Sequence, residues 1–410
     1  VTINLNGISL NICNYFMLKN KEIIIVGAGI GGLTLARALE QKGINFELYE
    51  QADSFEALGY GLQISPNVVR VLRKLELGKQ LENISHLCQG FELRCLNSDQ
   101  ILAKWQIDSD VPYYQCRRAD LHQLLFNSIQ DKTRIHFWQR LKSYEPKDNQ
   151  LYLNFQNQAS VTAKALIAAD GIHSAVRKSL FPNYQAQYSG YAAFRMIVPW
   201  QKKYNSLLGK AIVWMGENHH VVVYPNGNQN ADLSWLNLVL VVKDPNWTEE
   251  GWKIPVDKKE VAQDFANQSS LLNEILHDMV VSSEPCFKWG LFIHPPLPYW
   301  SKDKVTLLGD AAHPMLPFQA QGAAMAIEDA YVLAKCIASE GDIDQAFCQY
   351  ERARMKRTKR VQQVSRKNAN IFHATGIRAT LRNFALGLVS TINPNLLNQK
   401  SAWIYDFDVT

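Results

Sequence analysis

Six residues, Gly27-Ala28-Gly29-Ile30-Gly31-Gly32, constrain this 410-residue chain more than any other feature. They stand between the short β-branched run Glu22 to Val26, which reads as a fully buried strand, and Leu33 to Gln41, whose apolar spacing is helical. Gly43 ends that helix, and Phe46 to Tyr49 reads as a second strand closed by Glu50. A G-x-G-x-x-G at the turn of a βαβ unit answers a specific need. Gly27 permits the tight turn, Gly29 lets the backbone approach a pyrophosphate, and Gly32 lets helix and strand pack closely. Ile30, within the motif, joins Gly27, Gly29 and Gly32 as a cofactor-binding candidate, and the N-terminus of the following helix supplies unpaired N–H groups that favour an anion. Glu50, about 20 residues beyond the glycines, suits an adenosine ribose. The motif implies a dinucleotide and leaves open whether it is FAD or NAD.

The rest of the chain reads as α/β with a second, inserted sheet. Helices are expected from Pro66 through Leu75 and from Arg118 to Ile129; strands at Leu151–Phe155, at Ala165–Ala169 ending in Asp170, and at Val305–Leu308. Between Tyr188 and about Val242 the text turns to β-branched and aromatic strands with polar turns such as Pro225-Asn226-Gly227, followed by a helix near Val261–Met279. The expected organisation is an N-terminal extension over 1–20, a Rossmann-like dinucleotide domain with a parallel sheet over 21–90 and 110–187, and an antiparallel substrate domain over 91–109 and 188–295. Residues 296–345 would complete the first domain, and 346–410 form C-terminal helices.

Composition narrows the function classes. A net charge of +5 is small for this length, so a nucleic-acid partner is not expected. The one basic cluster, Arg352 to Lys367, reads as the solvated face of a helix. Seven cysteines without C-x-x-C spacing suggest reduced thiols, a cytoplasmic protein and no metal site. The longest apolar run, near Leu238–Val242, is far short of the roughly 20 residues of a membrane span. Peripheral membrane contact stays open through the basic, partly apolar C-terminal third, including Phe384 to Ile392. Residues Val1 to Asn20 resemble neither a signal nor a transit peptide, and Met17 is the expected natural start.

Two further segments, Ala169-Asp170-Gly171-Ile172-His173-Ser174-Ala175-Val176-Arg177 and Gly309-Asp310-Ala311-Ala312-His313-Pro314, accompany the glycine motif. Together the three resemble the fingerprints of the single-component FAD-dependent aromatic hydroxylases, the group A flavoprotein monooxygenases. That family includes salicylate hydroxylase, 3-hydroxybenzoate 6-hydroxylase and 6-hydroxynicotinate 3-monooxygenase, and the resemblance runs from Glu22 to Asp408. It implies bound FAD, NADH or NADPH as co-substrate, and hydroxylation of a small phenolic or heteroaromatic ring by O2 through a flavin C4a-hydroperoxide. It also implies that Asp310, beside Gly309, holds the ribityl chain, that Asp170 belongs to the cofactor region, and that Gln321-Gly322-Ala323 opens a helix toward the flavin. Arg118 matches a family arginine that contacts FAD; a salt bridge at the helix start is the alternative. Gly59 to Asn67 resembles a loop between cofactor and substrate, with Gln63 where the pyridine-hydroxylating member has histidine. The loop His313 to Gln319, with Pro314 and Pro317, would cover the reactive edge of the flavin, and its apolar side chains would exclude water. The end, Trp403 to Asp408, reads as structural.

In His219-His220-Val221-Val222-Val223-Tyr224-Pro225, strand periodicity places 220, 222 and 224 on one face. His220 and Tyr224 are the candidate catalytic pair, with His220 deprotonating a phenol. A satisfied structural histidine is the competing reading. A larger lipophilic substrate (a quinolone, polyprenyl phenol or carotenoid) and a non-catalytic flavin sensor remain alternatives, and the expected assembly is a monomer or homodimer.

Overall fold

A computed structural model describes residues 3–5, 8–10, 20–55, 60–228, 234–247, 254–266, 269–393 and 395–410. Val1, Met17 and Gly59 lie outside the described residues. Strand β1 (Asn20–Val26), helix α1 (Ile30–Gln41) and strand β2 (Glu47–Tyr49) form the βαβ unit, with β1 and β2 parallel in the register Ile25↔Leu48. Ile24, Ile25 and Leu48 are fully buried because the sheet is covered on both faces. Strand β3 (Val161–Ala168) lies parallel on the other side of β1. Strand β8 (Val305–Leu307) returns from far along the chain to pair with the end of β3, parallel at Leu166↔Val305. The three segments with glycine motifs thus leave the carboxyl ends of three neighbouring parallel strands. In an open α/β sheet that is where a ligand crevice forms.

The second sheet is antiparallel except at one pair. Its core is β4 (Gln187–Pro199), β5 (His219–Gly227), β6 (Ser234–Lys243) and β7 (Phe287–Ile293), in the order β7-β4-β6-β5. Lys210–Met215, Gly90–Cys95 and Ile101–Gln106 extend it beyond β5, so an early piece of the chain belongs to the late sheet. One face, with Phe194, Met196, Val221 and Leu238, packs under Lys258–Phe265 and Ser270–Val281. Two helices stand where one was expected. Asp257 and Ser269 each cap one by accepting from Lys259 N (2.7 Å) and Leu272 N (3.2 Å). The expected turn at Pro225-Asn226-Gly227 is also corrected. These residues continue β5 and pair with Leu236, Trp235 and Ser234. Pairing with Lys210–Met215 stops at Val223, so the proline occupies strand with one unpaired edge.

Helix α2 (Gly322–Ser339) packs on α1, and α3 (Ile343–Phe372), α4 (Gly376–Ile392) and α5 (Asn395–Tyr405) complete the chain. The basic cluster on α3 is not wholly a solvated face. Arg354 and Arg357 are buried, 1% and 8% exposed, because Glu328 and Asp329 on α2 face them. Arg357 also donates to the carbonyls of Trp403 and Ile404, tying down the C-terminal segment. Among the described residues no helix is long and apolar enough to cross a membrane, and no cluster suits a metal ion.

Candidate active site

The glycine turn divides its residues between packing and open space. A β-carbon on Gly32 would lie 1.9 Å from the carbonyl oxygen of Gly27, and one on Gly27 would lie 2.4 Å from that of Ala169. Gly27 also has φ +101°. Gly29 is different: a β-carbon there would meet nothing within 4 Å, and its φ of −70° suits any residue. The space in front of Gly29, at the start of α1, is what a pyrophosphate requires. Glu50 accepts from Ala28 N (2.7 Å) and Ala52 N (2.9 Å), which clamps the turn to the end of β2. Two amides leave its carboxylate with lone pairs for a ribose hydroxyl. His122, absent from the sequence candidates, places Nε2 2.6 Å from the Ala28 carbonyl oxygen, so that nitrogen is the protonated one.

Asp310 and Arg118 describe the floor of a cleft. Both have solvent-accessible side chains. Both are nonetheless enclosed by protein, for burial is the main influence on each, raising the Asp310 carboxyl and lowering the Arg118 guanidinium. Arg118 lies within the field of Asp310 and Glu50. Among the described residues no salt bridge at the helix start involves it; Arg117 takes that role with Asp120, at 2.6 Å. Arg177 is buried and braces the second fingerprint to the third. It donates to the carbonyls of Asp310 (3.2 Å), Ala311 (2.8 Å) and Ile172, and burial brings it down to about 10. Asp170 accepts from Ala175 N at 2.9 Å, while its other oxygen is buried without a hydrogen bond. An accessible acid deep in a cleft, an orphaned carboxylate oxygen and the open face of Gly29 together fit FAD. Another concavity, lined by Glu22, Ile44, Asn149, Lys304 and Asp342, lies at the amino ends of the parallel strands, away from this chemistry.

Helix α2 begins at Gly322 and Ala323, beside the fully buried Gln321. The Gln321 side chain turns away, donating to Ser65 Oγ (2.9 Å) and accepting from Asn67 (3.4 Å). Asn67 donates to Glu328 (2.6 Å), which pairs with Arg354 and Arg357. Asp329 joins Arg354 to His313 (2.7 and 2.5 Å). This buried polar chain anchors both ends of the His313–Gln319 loop region. Gly309, at φ +61°, lets the preceding strand end meet Ala326 of α2, where a β-carbon would lie at 2.9 Å.

The loop itself is held by three side chains at three-residue spacing on α3. Gln362 donates to the Pro314 carbonyl (2.9 Å), Ser365 to Leu316 (2.6 Å) and Asn368 to Phe318 (3.0 Å). Pro314 is buried and Pro317 exposed. Leu316 and Phe318 pack on Ala193 and Val241, so the loop covers the second face of the antiparallel sheet.

That face carries Arg195, His220, Tyr224 and Asn237, as the registers Arg195↔Val239, Val222↔Val239, His220↔Val241 and Tyr224↔Asn237 require. His220 is 2% exposed, and its Nδ1 lies 2.8 Å from Nε2 of His373; Nδ1 of His373 lies 2.8 Å from the Ala369 carbonyl oxygen. A carbonyl only accepts, so His373 carries its proton on Nδ1 and receives one from His220. Nε2 of His220 is left as an acceptor. Burial keeps both rings neutral, with His373 lowered to about 4 and His220 well below the usual range. Tyr224 is buried against Gly61, where a β-carbon would lie 2.7 Å from the phenol oxygen. Gln63 accepts from Tyr113 at 2.7 Å. Arg195, also missed in the sequence, sits over the rings of Trp289 (4.7 Å) and Tyr60 (5.3 Å) and donates to the Gly61 carbonyl (3.2 Å). Among the described residues no carboxylate pairs with it, and Arg118 lies close enough to repel it.

The family model for an FAD binding domain matches residues 20–365. A 3-amino-4-hydroxybenzoate 2-monooxygenase of Streptomyces platensis is 32% identical over 94% of this chain and 96% of its own length. The 6-hydroxynicotinate 3-monooxygenase of Pseudomonas fluorescens is 30% identical over 86% and 92%. Among solved structures, Klebsiella pneumoniae HpxO complexed with FAD and uric acid superposes with a TM-score of 0.80 at 23% identity, covering 92% of this chain and 96% of that one. The chain belongs to the FAD-binding-domain family and is an FAD-dependent aromatic monooxygenase.

Proposed function

We propose that this enzyme uses NADH or NADPH and O2 to hydroxylate a small phenolic or heteroaromatic ring that bears a carboxylate. Arg195 carries the last part of that reading: it is an enclosed cation on the cleft-facing side of the sheet, and among the described residues no carboxylate pairs with it. An enclosed charge without a partner is costly unless a ligand supplies the opposite charge. Two relatives named for hydroxybenzoate and hydroxynicotinate substrates support the same class.

Gly27, Gly29, Gly32 and Ile30 at the start of α1 would receive the pyrophosphate of FAD, and Glu50 the ribose. Arg118, Asp170, Gly309 and Asp310 would border its middle, with Asp310 accepting from ribityl hydroxyls. The Gln321-Gly322-Ala323 end of α2 would face the flavin ring. Bound there, FAD supplies the redox chemistry that activates O2. The protein's own part begins at His220: its Nδ1–H is held by His373 Nε2, which leaves its Nε2 as the acceptor for the phenol proton. Removing the phenol proton raises electron density on the ring carbon that must take oxygen. Tyr224 and Gln63 border the ring's site, and the Pro314–Pro317 loop keeps water out.

The test is NAD(P)H consumption and product mass with matched phenols, with and without a ring carboxylate. The acids should turn over with much lower KM, and Arg195→Gln should remove that preference. Equal KM for acid and neutral phenol in the wild type would reject the carboxylate.

A further inference from the structure

The outer face of α4 is apolar and uncovered. Ile377, Leu381, Phe384, Leu388 and Ile392 are 80%, 62%, 71%, 49% and 72% exposed. At 100° per residue they fall within about 80° of arc, a continuous stripe rather than scattered surface residues. The opposite side of the helix is satisfied. Ala379 is buried, Asn383 reaches Cys95, and Ser390 accepts from the backbone of Lys104 at 3.4 Å on the strand beneath. The stripe is therefore the outward face of the helix.

On the C-terminal helices that carry the stripe, charge has one sign. From Arg352 to Tyr405 the chain carries eleven Lys and Arg side chains and no Asp or Glu. Arg354 and Arg357 are neutralised internally, but Arg378 on α4, Lys104 beside it and Lys400 on α5 are exposed. Arg378 and Arg382 lie together on one flank of the stripe. Arg382 donates to the carbonyls of Ile371 and Phe372, and Glu217 accepts from Gly376 N at the helix start. A second copy laid on this face would oppose arginines to arginines with no acid on either helix to pair them. An anionic surface meets both features at once, and an amphipathic helix with Phe, Leu and Ile on one side and arginine at its edge lies in the headgroup region of a bilayer.

We propose that α4 is a membrane-surface helix that seats this enzyme on bilayers containing anionic phospholipid. The helix lies in the interface plane, with Phe384 and its neighbours among the acyl chains and Arg378 at the phosphates. This surface is separate from the cleft, so its role does not depend on the substrate assigned above.

The experiment is flotation of the FAD-loaded full chain with phosphatidylcholine vesicles, with and without phosphatidylglycerol, at low and high salt. Wild-type protein should float with the mixed vesicles at least tenfold more than with phosphatidylcholine alone, and salt should weaken this. Leu381→Glu/Phe384→Glu should abolish flotation, and Arg378→Glu should reduce it, both with FAD content and hydroxylation rate unchanged. Equal flotation with both vesicles, or none with either, would overturn the proposal. So would a dimer by light scattering that Phe384→Glu dissociates while vesicle binding is absent, for the stripe would then belong to a second copy.

Discussion

His220 and His373, 153 residues apart, share a hydrogen bond of 2.8 Å, and the Ala369 carbonyl fixes its direction. His373→Ala removes that acceptor and frees the His220 ring to take either tautomer. FAD content should stay as in the wild type, because none of the glycine or aspartate segments is touched. Hydroxylation should fall on the order of 10²-fold, at the lower end of what loss of a positioned base costs, while flavin reduction should change much less. Higher pH should restore part of the rate as the phenol ionises unaided. Stopped-flow traces with a turnover substrate separate the two steps; equal loss in both would assign the pair to structure.

The same pair makes stability depend on pH. His373 binds its proton near pH 4 in the fold and near 6.5 when unfolded, so between those values the unfolded chain holds more protons. Stability should therefore fall as pH drops from about 6.5 toward about 4, and be unaffected by this group above 6.5. Urea unfolding of wild type and His373→Gln across that window checks it: the variant's profile should be flatter.

Gly29→Ala and Gly32→Ala should fail in different ways. The first adds a methyl where the fold leaves 4 Å of space, so the variant should fold with near-normal melting without cofactor, yet bind FAD poorly. The second drives a methyl against the Gly27 carbonyl at 1.9 Å, so it should lose the βαβ packing itself and yield little folded protein. Parallel thermal melts and FAD titrations distinguish them.

How far the sequence could be read follows from the range of the interactions involved. The glycine turn, the Asp310 segment and the strand periodicity of His220 to Tyr224 are local signals, and each lies where its spacing implied. Arg195 and His373 had no such signal: each acquires meaning from a neighbour on another strand or helix, and neither stands in a motif. Arg354 and Arg357 looked like surface charge because their acids lie 25 to 29 residues away on α2. The acids Glu328 and Asp329, side by side on a mostly apolar helix, were a usable hint. So was the three-residue spacing of Gln362, Ser365 and Asn368.

Asp310→Ala removes a carboxylate that the fold keeps accessible at the cleft floor. Loss of charge-assisted hydrogen bonds of about 1.5–3 kcal/mol corresponds to roughly a tenfold to hundredfold weaker FAD complex. Arg177 should keep its hydrogen bonds, since it donates to the backbone carbonyl of Asp310, and lose only the field of the carboxylate. FAD affinity by fluorescence titration, beside an unchanged apo-protein melt, checks both parts.

Ser365→Ala tests whether the His313–Gln319 loop shields the reaction. Ser365 Oγ is buried and donates to the Leu316 carbonyl at 2.6 Å, between the parallel bonds from Gln362 and Asn368. Removing it leaves a buried acceptor unpaired, at about 1–3 kcal/mol, and the flanking bonds keep the loop attached while letting its centre move. NAD(P)H consumption should therefore continue at nearly the wild-type rate. What should change is the fate of the oxygen: water reaching the flavin edge releases H2O2 before the ring is hydroxylated, so the ratio of product to NAD(P)H consumed should fall and peroxide rise by the same amount. Ser365→Thr, which keeps the hydroxyl, should restore the ratio. Unaltered coupling in a folded Ser365→Ala variant would mean that the two prolines and the Phe318 packing hold the loop without help from α3.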